Sequence, residues 1–188
     1  MKRKYSQHTD LELFNTLKEN THVSELAFGE LYARYNQRIY AYCLRVTGNP
    51  DEARDIFQDT FLKFYKSAKS DRQVSNVPGY LLTIARNLCL NFKRDRKDTV
   101  AFEDYHKSYR NDGSYEKKEY LELIRTALDL LDKDHREAFI LREYQGMSYA
   151  EISDVTGVSV SALKNRVWRA KEKIKKILSR YVAEVSKL

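Results

Sequence analysis

Cysteine is almost missing from this sequence. Cys43 and Cys89 are the two examples, far apart and each inside an apolar helical pattern. No CxxC pair exists, so the sequence predicts buried free thiols, not a disulfide framework or a cysteine metal site. Long apolar runs are missing too. Nothing approaches the roughly 18 consecutive apolar residues of a membrane span. The opening MKRKYSQHTD is basic but has no apolar stretch behind it, so no signal peptide and a soluble, cytoplasmic protein are expected. His8, His22, His106 and His135 show no metal-ligand spacing with one another or with the cysteines. There is no GxxxxGKS/T phosphate loop, no GxGxxG after a strand, no HExxH and no GxSxG. No carboxylate pair sits in an apolar context fit for acid–base work. The chain therefore reads as non-catalytic, without cofactor or metal.

Charge is abundant, and its placement is informative. Of 188 residues 32% are charged and 42% apolar, enough for one large domain or two small helical bodies. The net charge is +7, yet from Ser161 to the end nine cations face two acids, so the whole excess lies there. A polyanion partner asks for such a concentration.

That basic stretch begins inside SYAEISDVTGVSVSALKNRVWRAKEKIKKIL, Ser148 to Leu178. Ser148 with Glu151 three residues later has capping-box spacing, Gly157 permits a left-handed stop, and Ser159 offers a second N-cap. Beyond it Leu163, Val167, Ala170, Ile174 and Ile177 share one stripe. Ser161, Lys164, Asn165, Trp168, Arg169 and Lys171 fall off that stripe. Hydroxyl, amide, indole and cations on an anchored helix suit base edges and phosphates in a major groove, and the whole reads as a helix-turn-helix. The bland alternative is a basic amphipathic helix solvated on one side.

Earlier in the chain, a polar tail and a short helix at Leu11 to Lys18 precede a long amphipathic helix, Leu26 to Val46, with Phe28, Leu31, Tyr32, Tyr35, Ile39, Tyr42, Cys43 and Val46 as its apolar positions. Asn49 and Pro50 restart the chain as N-cap and first helical residue. DEARDIFQDTFLKFY then buries Ala53, Ile56, Phe57, Thr60, Phe61 and Phe64. Asp55, Gln58, Asp59 and Leu62 lie on the other side, as a solvated face or a docking surface. Lys66 to Asn76 is expected to be a polar loop, long enough to be functional. Pro78 is expected to open a helix with Leu81, Ile84, Ala85, Leu88 and Phe92 inward. Its outward face, Thr83, Arg86, Asn87, Asn91 and Arg94, runs into KRDRK. Such a face is either solvated or able to bind unstacked single-stranded nucleic acid. Asp98 to Glu116 loses periodicity and reads as a flexible linker. Two more helices, Lys117 to Leu131 and about His135 to Gln145, the latter capped by Asp132 or Asp134 and stopped by Gly146, complete a four-helix second domain. The first of them turns Leu121, Ile124, Leu128 and Leu131 inward.

Three of these stretches, in order, carry a resemblance. DEARDIFQDTFLKFY resembles region 2.2 of the bacterial RNA polymerase sigma factors of the extracytoplasmic-function (ECF) type, minimal two-domain members of the sigma-70 family, with Asp55, Gln58, Asp59 and Phe61 at characteristic positions. YLLTIARNLCLNFKR resembles region 2.4 through Ile84, Ala85, Arg86 and Asn87. REAFILREYQGMSYAEISDVTGVSVSALKNRVWRAKEKIK is similar to regions 4.1 and 4.2, and the likeness spans about Ser24 to Leu178. Departures from the family pattern are Tyr80 for a usual tryptophan, Asn91 for an aspartate, Arg54 for an acid, Lys133 for a proline, and Leu163 with Asn165.

The resemblance implies an all-α fold of two small helical bundles joined by a flexible linker, the C-terminal one carrying the helix-turn-helix. Residues 1–97 would form the region 2 domain, 98–116 the linker and 117–188 the region 4 domain. Asp55, Gln58, Asp59 and Leu62 would dock on the clamp helices of the polymerase β′ subunit. The loop with Arg72 and Asn76 would hold a flipped-out base of the minus-ten element, flanked by Arg86, Asn87, Asn91 and Arg94. Ser161, Lys164, Asn165, Arg166, Trp168, Arg169 and Lys171 would read the minus-thirty-five element. The implied partners are core RNA polymerase (including its β-flap), promoter DNA and an anti-sigma factor, with no membrane insertion. A stand-alone helix-turn-helix regulator would explain only the C-terminal half.

Overall fold

Several helices of this protein start where a short polar side chain meets unpaired N–H groups. In the computed structural model, which describes residues 5–19, 22–70, 73–95, 123–124 and 126–185, every regular element is helical. Thr9 opens α1 (Asp10–Thr16) with a capping box to Glu12. Asn49 opens α3 (Pro50–Ala68), its side-chain oxygen accepting the N–H groups of Asp51 and Glu52 at 2.8 and 3.3 Å. Between them α2 (His22–Thr47) runs for 26 residues and ends at Gly48, whose φ of 76° is left-handed. The fourth helix, α4, is Val77–Asp95. By its internal contacts the chain divides into two compact units, Met1–Tyr105 and His106–Leu188.

The first unit packs α1 to α4 around a core of Leu13, Phe14, Leu31, Ile39, Tyr42, Phe64, Leu81 and Leu82, all essentially sealed from solvent. Phe14, Phe64 and Tyr80 form an aromatic triangle across α1, α3 and α4, with ring centres 5.3 to 6.4 Å apart. A polar clasp holds α1 on α2. Arg34 reaches Asp10 at 2.8 Å and Glu30 at 2.9 Å, and the Tyr35 hydroxyl donates to the other Asp10 oxygen. Burial opposes the Arg34 charge, but the bonds to Asp10 and Glu30 outweigh it and raise its pKa. Burial, then the bond to Asp10, pushes the Tyr35 phenol up as well. Cys43 and Cys89 are fully buried free thiols on α2 and α4; the hydrogen bond between them, reinforced by burial, pushes the Cys43 thiol well above its ordinary value.

Several boundaries differ from the sequence reading. The expected loop Lys66 to Asn76 is shorter, because α3 continues through Ala68, which is fully buried. The Ser67 and Ser70 hydroxyls donate to the carbonyls of Phe64 and Ser67 at 2.7 Å, so the polar residues feed the helix end instead of leaving it. Helix α4 begins at Val77, not Pro78, since Asn76 is the capping residue. Its buried side includes Leu82 and Cys89, while Ile84, Leu88 and Phe92 are half-buried. Phe57 and Tyr35 are half-buried, and Tyr32 is exposed at the rim, its ring tilted against Phe61 with centres 4.9 Å apart.

In the second unit residues 126–129 are helical, followed by α5 (Lys133–Phe139), a single π-turn at Ile140–Tyr144, α6 (Tyr149–Thr156) and α7 (Val160–Val185). The expected helix from His135 to Gln145 therefore starts earlier and changes register before it stops. The Gln145 N–H bonds to the Ile140 carbonyl five residues back, and Gly146 follows with φ 63°. Asp132 occupies the N-cap of α5 without a side-chain cap bond. Its carboxylate turns instead to His135 at 3.2 Å and Lys173 at 3.9 Å, which together hold it below the usual aspartate range. Leu128, Leu131 and Ala170 pack together with Ile124, Phe139 and Ile174. The expected linker 98–116, Leu121 and Arg72 lie outside the described residues.

Candidate nucleic-acid interface

The turn between α6 and α7 is built from three local devices. Ser148 Oγ accepts the Glu151 N–H at 3.2 Å while the Glu151 carboxylate accepts the Ser148 N–H at 2.8 Å, closing the capping box. Gly157 ends α6 with φ 72° and ψ 8°, its N–H bonded to the Ser153 carbonyl at 2.8 Å. Ser159 Oγ then accepts the Ala162 N–H at 3.3 Å at the start of α7. Leu163, Val167 and Ala170 are buried, which fixes the rotation of α7 about its axis. Ser161, Lys164, Asn165, Trp168, Arg169 and Lys171 are consequently all exposed, Trp168 at 62%. A largely bare indole among cations costs apolar hydration.

Two of the seven expected contacts are not free cations. Arg166 is half-buried and ion-paired with Asp134 at 2.7 Å, and Lys171 pairs with Glu143 at 2.8 Å. The sequence reading also missed a strut behind the helix. Arg142 donates to the Met147 carbonyl at 2.6 Å and lies over the Tyr149 ring at 4.8 Å, while Lys164 approaches the same ring at 6.0 Å. No periodicity search finds it, because it joins the π-turn, the loop and two helices.

In the first unit Asp55, Gln58, Asp59 and Leu62 are all exposed on one face of α3, opposite Ala53, Ile56, Thr60, Phe61 and Phe64. Leu62, half exposed, is the apolar member of an otherwise acidic-amide surface. On α4, Asn87, Asn91 and Arg94 are exposed and Arg86 half-buried. Asn76 is committed to the backbone: its Oδ1 accepts the Gly79 N–H at 2.9 Å. A Cβ at Gly79 would come within 3.0 to 3.2 Å of the Asn76 side chain, so glycine there makes room for the cap. Among the described residues no group of acids, histidines and cysteines is arranged to hold a metal, and no helix is long and apolar enough to cross a membrane.

A basic recognition helix behind a glycine turn, with a second helical body bearing separate polar faces, defines a helix-turn-helix DNA-binding protein. Residues 31–99 match the Sigma-70 region 2 family and residues 121–174 match Sigma-70, region 4. The chain is 35% identical over 140 residues to the ECF RNA polymerase sigma factor EcfG of Rhodopseudomonas palustris, covering 73% of this chain and 77% of that one. It is 34% identical over 163 residues to the RNA polymerase sigma factor YlaC of Bacillus subtilis, covering 80% and 91%. Among solved structures it resembles the sigma factor RpoE in complex with the anti-sigma factor NepR from Bartonella quintana, with TM-score 0.70, 28% identity, and 81% of this chain and 96% of that one covered. This chain belongs to the ECF sigma factors of the sigma-70 family, and it is a promoter-recognising sigma factor of RNA polymerase.

Proposed function

We propose that the two units divide promoter recognition between them, with residues 1–97 and 117–188 as the working domains and 98–116 as the linker. Helix α7 reads the minus-thirty-five element as duplex, through Ser161, Lys164, Asn165, Trp168 and Arg169, with Arg166 and Lys171 at its edges. Arg72, Asn76, Arg86, Asn87, Asn91 and Arg94 serve the opened minus-ten element. Asn76 contributes chiefly by fixing the start of α4. Asp55, Gln58, Asp59 and Leu62 dock on the β′ clamp helices, and the second unit touches the β-flap. An anti-sigma factor is the expected inhibitor, in keeping with the complex formed by the Bartonella relative. The protein acts in the cytoplasm and without chemistry of its own.

The observation that carries this reading is the exposed face of α7, where amide, indole and guanidinium stand together in solvent. Energetics support the need for polymerase. Stacking is about 1.4 kcal/mol per base-pair step, so opening roughly ten steps costs on the order of 14 kcal/mol. A base pocket handles only a few kcal/mol per flipped base. The test is in vitro transcription with core polymerase on a genomic promoter library, with and without the chain. Initiation at a shared pair of upstream elements only when the chain is present is expected. Promoter-specific duplex binding without any effect on initiation would point instead to a stand-alone regulator.

A further inference from the structure

The cations of α7 fall into two sets with different surroundings. With about 100° between successive residues, Ser161, Asn165, Trp168 and Arg169 lie opposite the buried side marked by Leu163, Val167 and Ala170. Arg166 and Lys173 occupy one edge between the two sides, and Lys164 and Lys171 the other. Each edge meets a partner from an element earlier in the chain. On one edge Arg166 pairs with Asp134 at 2.7 Å and Lys173 approaches Asp132 at 3.9 Å. On the other, Lys171 pairs with Glu143 at 2.8 Å and Lys164 lies over Tyr149. Among the described residues no carboxylate pairs with Arg169, on the outermost face.

Folding stability gives little reason for such pairs. Asp134 is 60% exposed and Glu143 36%, and exposed ion pairs contribute little once side-chain entropy and screening are counted. Duplex binding gives a better one. Every cation that reaches a phosphate raises affinity for any sequence, whereas an acid held against that cation removes it from the competition and adds repulsion of its own. We propose that Asp134 and Glu143 are specificity-determining residues: by holding Arg166 and Lys171 off the phosphates they suppress sequence-independent binding and leave discrimination to Asn165, Trp168 and Arg169. This rests on α7 being the duplex-reading helix.

The test uses the full chain assembled with core polymerase, binding a promoter duplex and a scrambled duplex across a salt series. Asp134→Asn raises affinity for the scrambled duplex, steepens its log–log salt dependence by about 0.9 for the one phosphate gained, and lowers the promoter-to-scrambled ratio several-fold. Glu143→Gln does the same through Lys171. In an Arg166→Gln background Asp134→Asn has no effect. The proposal is overturned if the Asp134→Asn gain survives that background, which would make it a plain net-charge effect. It is overturned equally if Arg166→Gln alone flattens the native slope by one phosphate, which would place Arg166 on the backbone already. Asn165→Ala separates the two levels: unchanged promoter preference there sinks the reading role of α7 itself, whereas lost preference with a silent Asp134→Asn sinks only the counter-charge role.

Discussion

Replacing Gly157 by alanine isolates the energetic cost of the turn between α6 and α7. Gly157 has φ 72° and ψ 8°, and a Cβ built there meets no atom within 4 Å. Sterics with the surroundings therefore contribute nothing, and the whole cost is the left-handed backbone of an L-residue, about 1–2 kcal/mol. One or two kcal/mol is roughly a 5–30-fold change in a folding equilibrium, enough to read from urea melts of the helical circular dichroism signal. Gly157→Asn should recover part of the loss, because a short amide side chain tolerates that conformation. Alanine could escape the strain only by returning to negative φ, which would break the 2.8 Å bond from Gly157 N–H to the Ser153 carbonyl and swing α7 away from α6. Promoter-duplex binding measured on the same samples would then fall by more than the stability loss explains. An alanine variant as stable as the native protein, or an asparagine variant no better than alanine, would refute this account of the turn.

Three further outcomes follow from named contacts. Asn165→Ala removes an exposed amide from the proposed reading face of α7 and should cost about 1–3 kcal/mol of promoter binding while relaxing preference at one base pair, as a promoter-library selection would record. Asp55→Lys or Gln58→Ala, both at exposed positions of α3, should abolish transcription by loss of polymerase binding while circular dichroism stays native; normal co-purification with core polymerase would count against the docking face. Cys43 and Cys89 should resist alkylation in the native protein at neutral pH and react only on unfolding, because burial blocks access and the raised Cys43 pKa keeps it a thiol. Rapid labelling of either cysteine, followed by peptide mapping, would contradict that.

What was legible in the sequence is what a helix decides within one turn. Asn49 with Pro50, Ser148 with Glu151, and Gly157 act on backbone groups at most four residues away, so their spacing alone announced the caps and the stop. The stripe Leu163, Val167 and Ala170 repeats at the helical period, and fixing the buried side fixed the exposed one with it. Asn76 is less plain: its side-chain oxygen caps α4 at the Gly79 N–H, and the helix starts one residue before the proline expected to open it. Lys66 to Ala68 looked like loop because their side chains are mostly polar, but Ala68 is buried and the serines bond back to helical carbonyls.

Contacts between residues far apart in sequence left no such trace. The clasp of Arg34 on Asp10 spans 24 residues, and the pair of Arg166 with Asp134 spans 32. Nothing in local spacing tells an aspartate that caps a helix from one that restrains an arginine on another. The π-turn at Ile140–Tyr144 is hidden for the same reason, since its one-residue shift leaves the apolar pattern nearly intact while redirecting Arg142 toward Met147 and Tyr149. Composition therefore located the basic helix and overstated how many of its charges are at liberty to meet DNA. Counting cations estimates the attraction to any polyanion; on the proposal above, the pairing of Arg166 with Asp134 and of Lys171 with Glu143 separates that attraction from the capacity to choose a sequence.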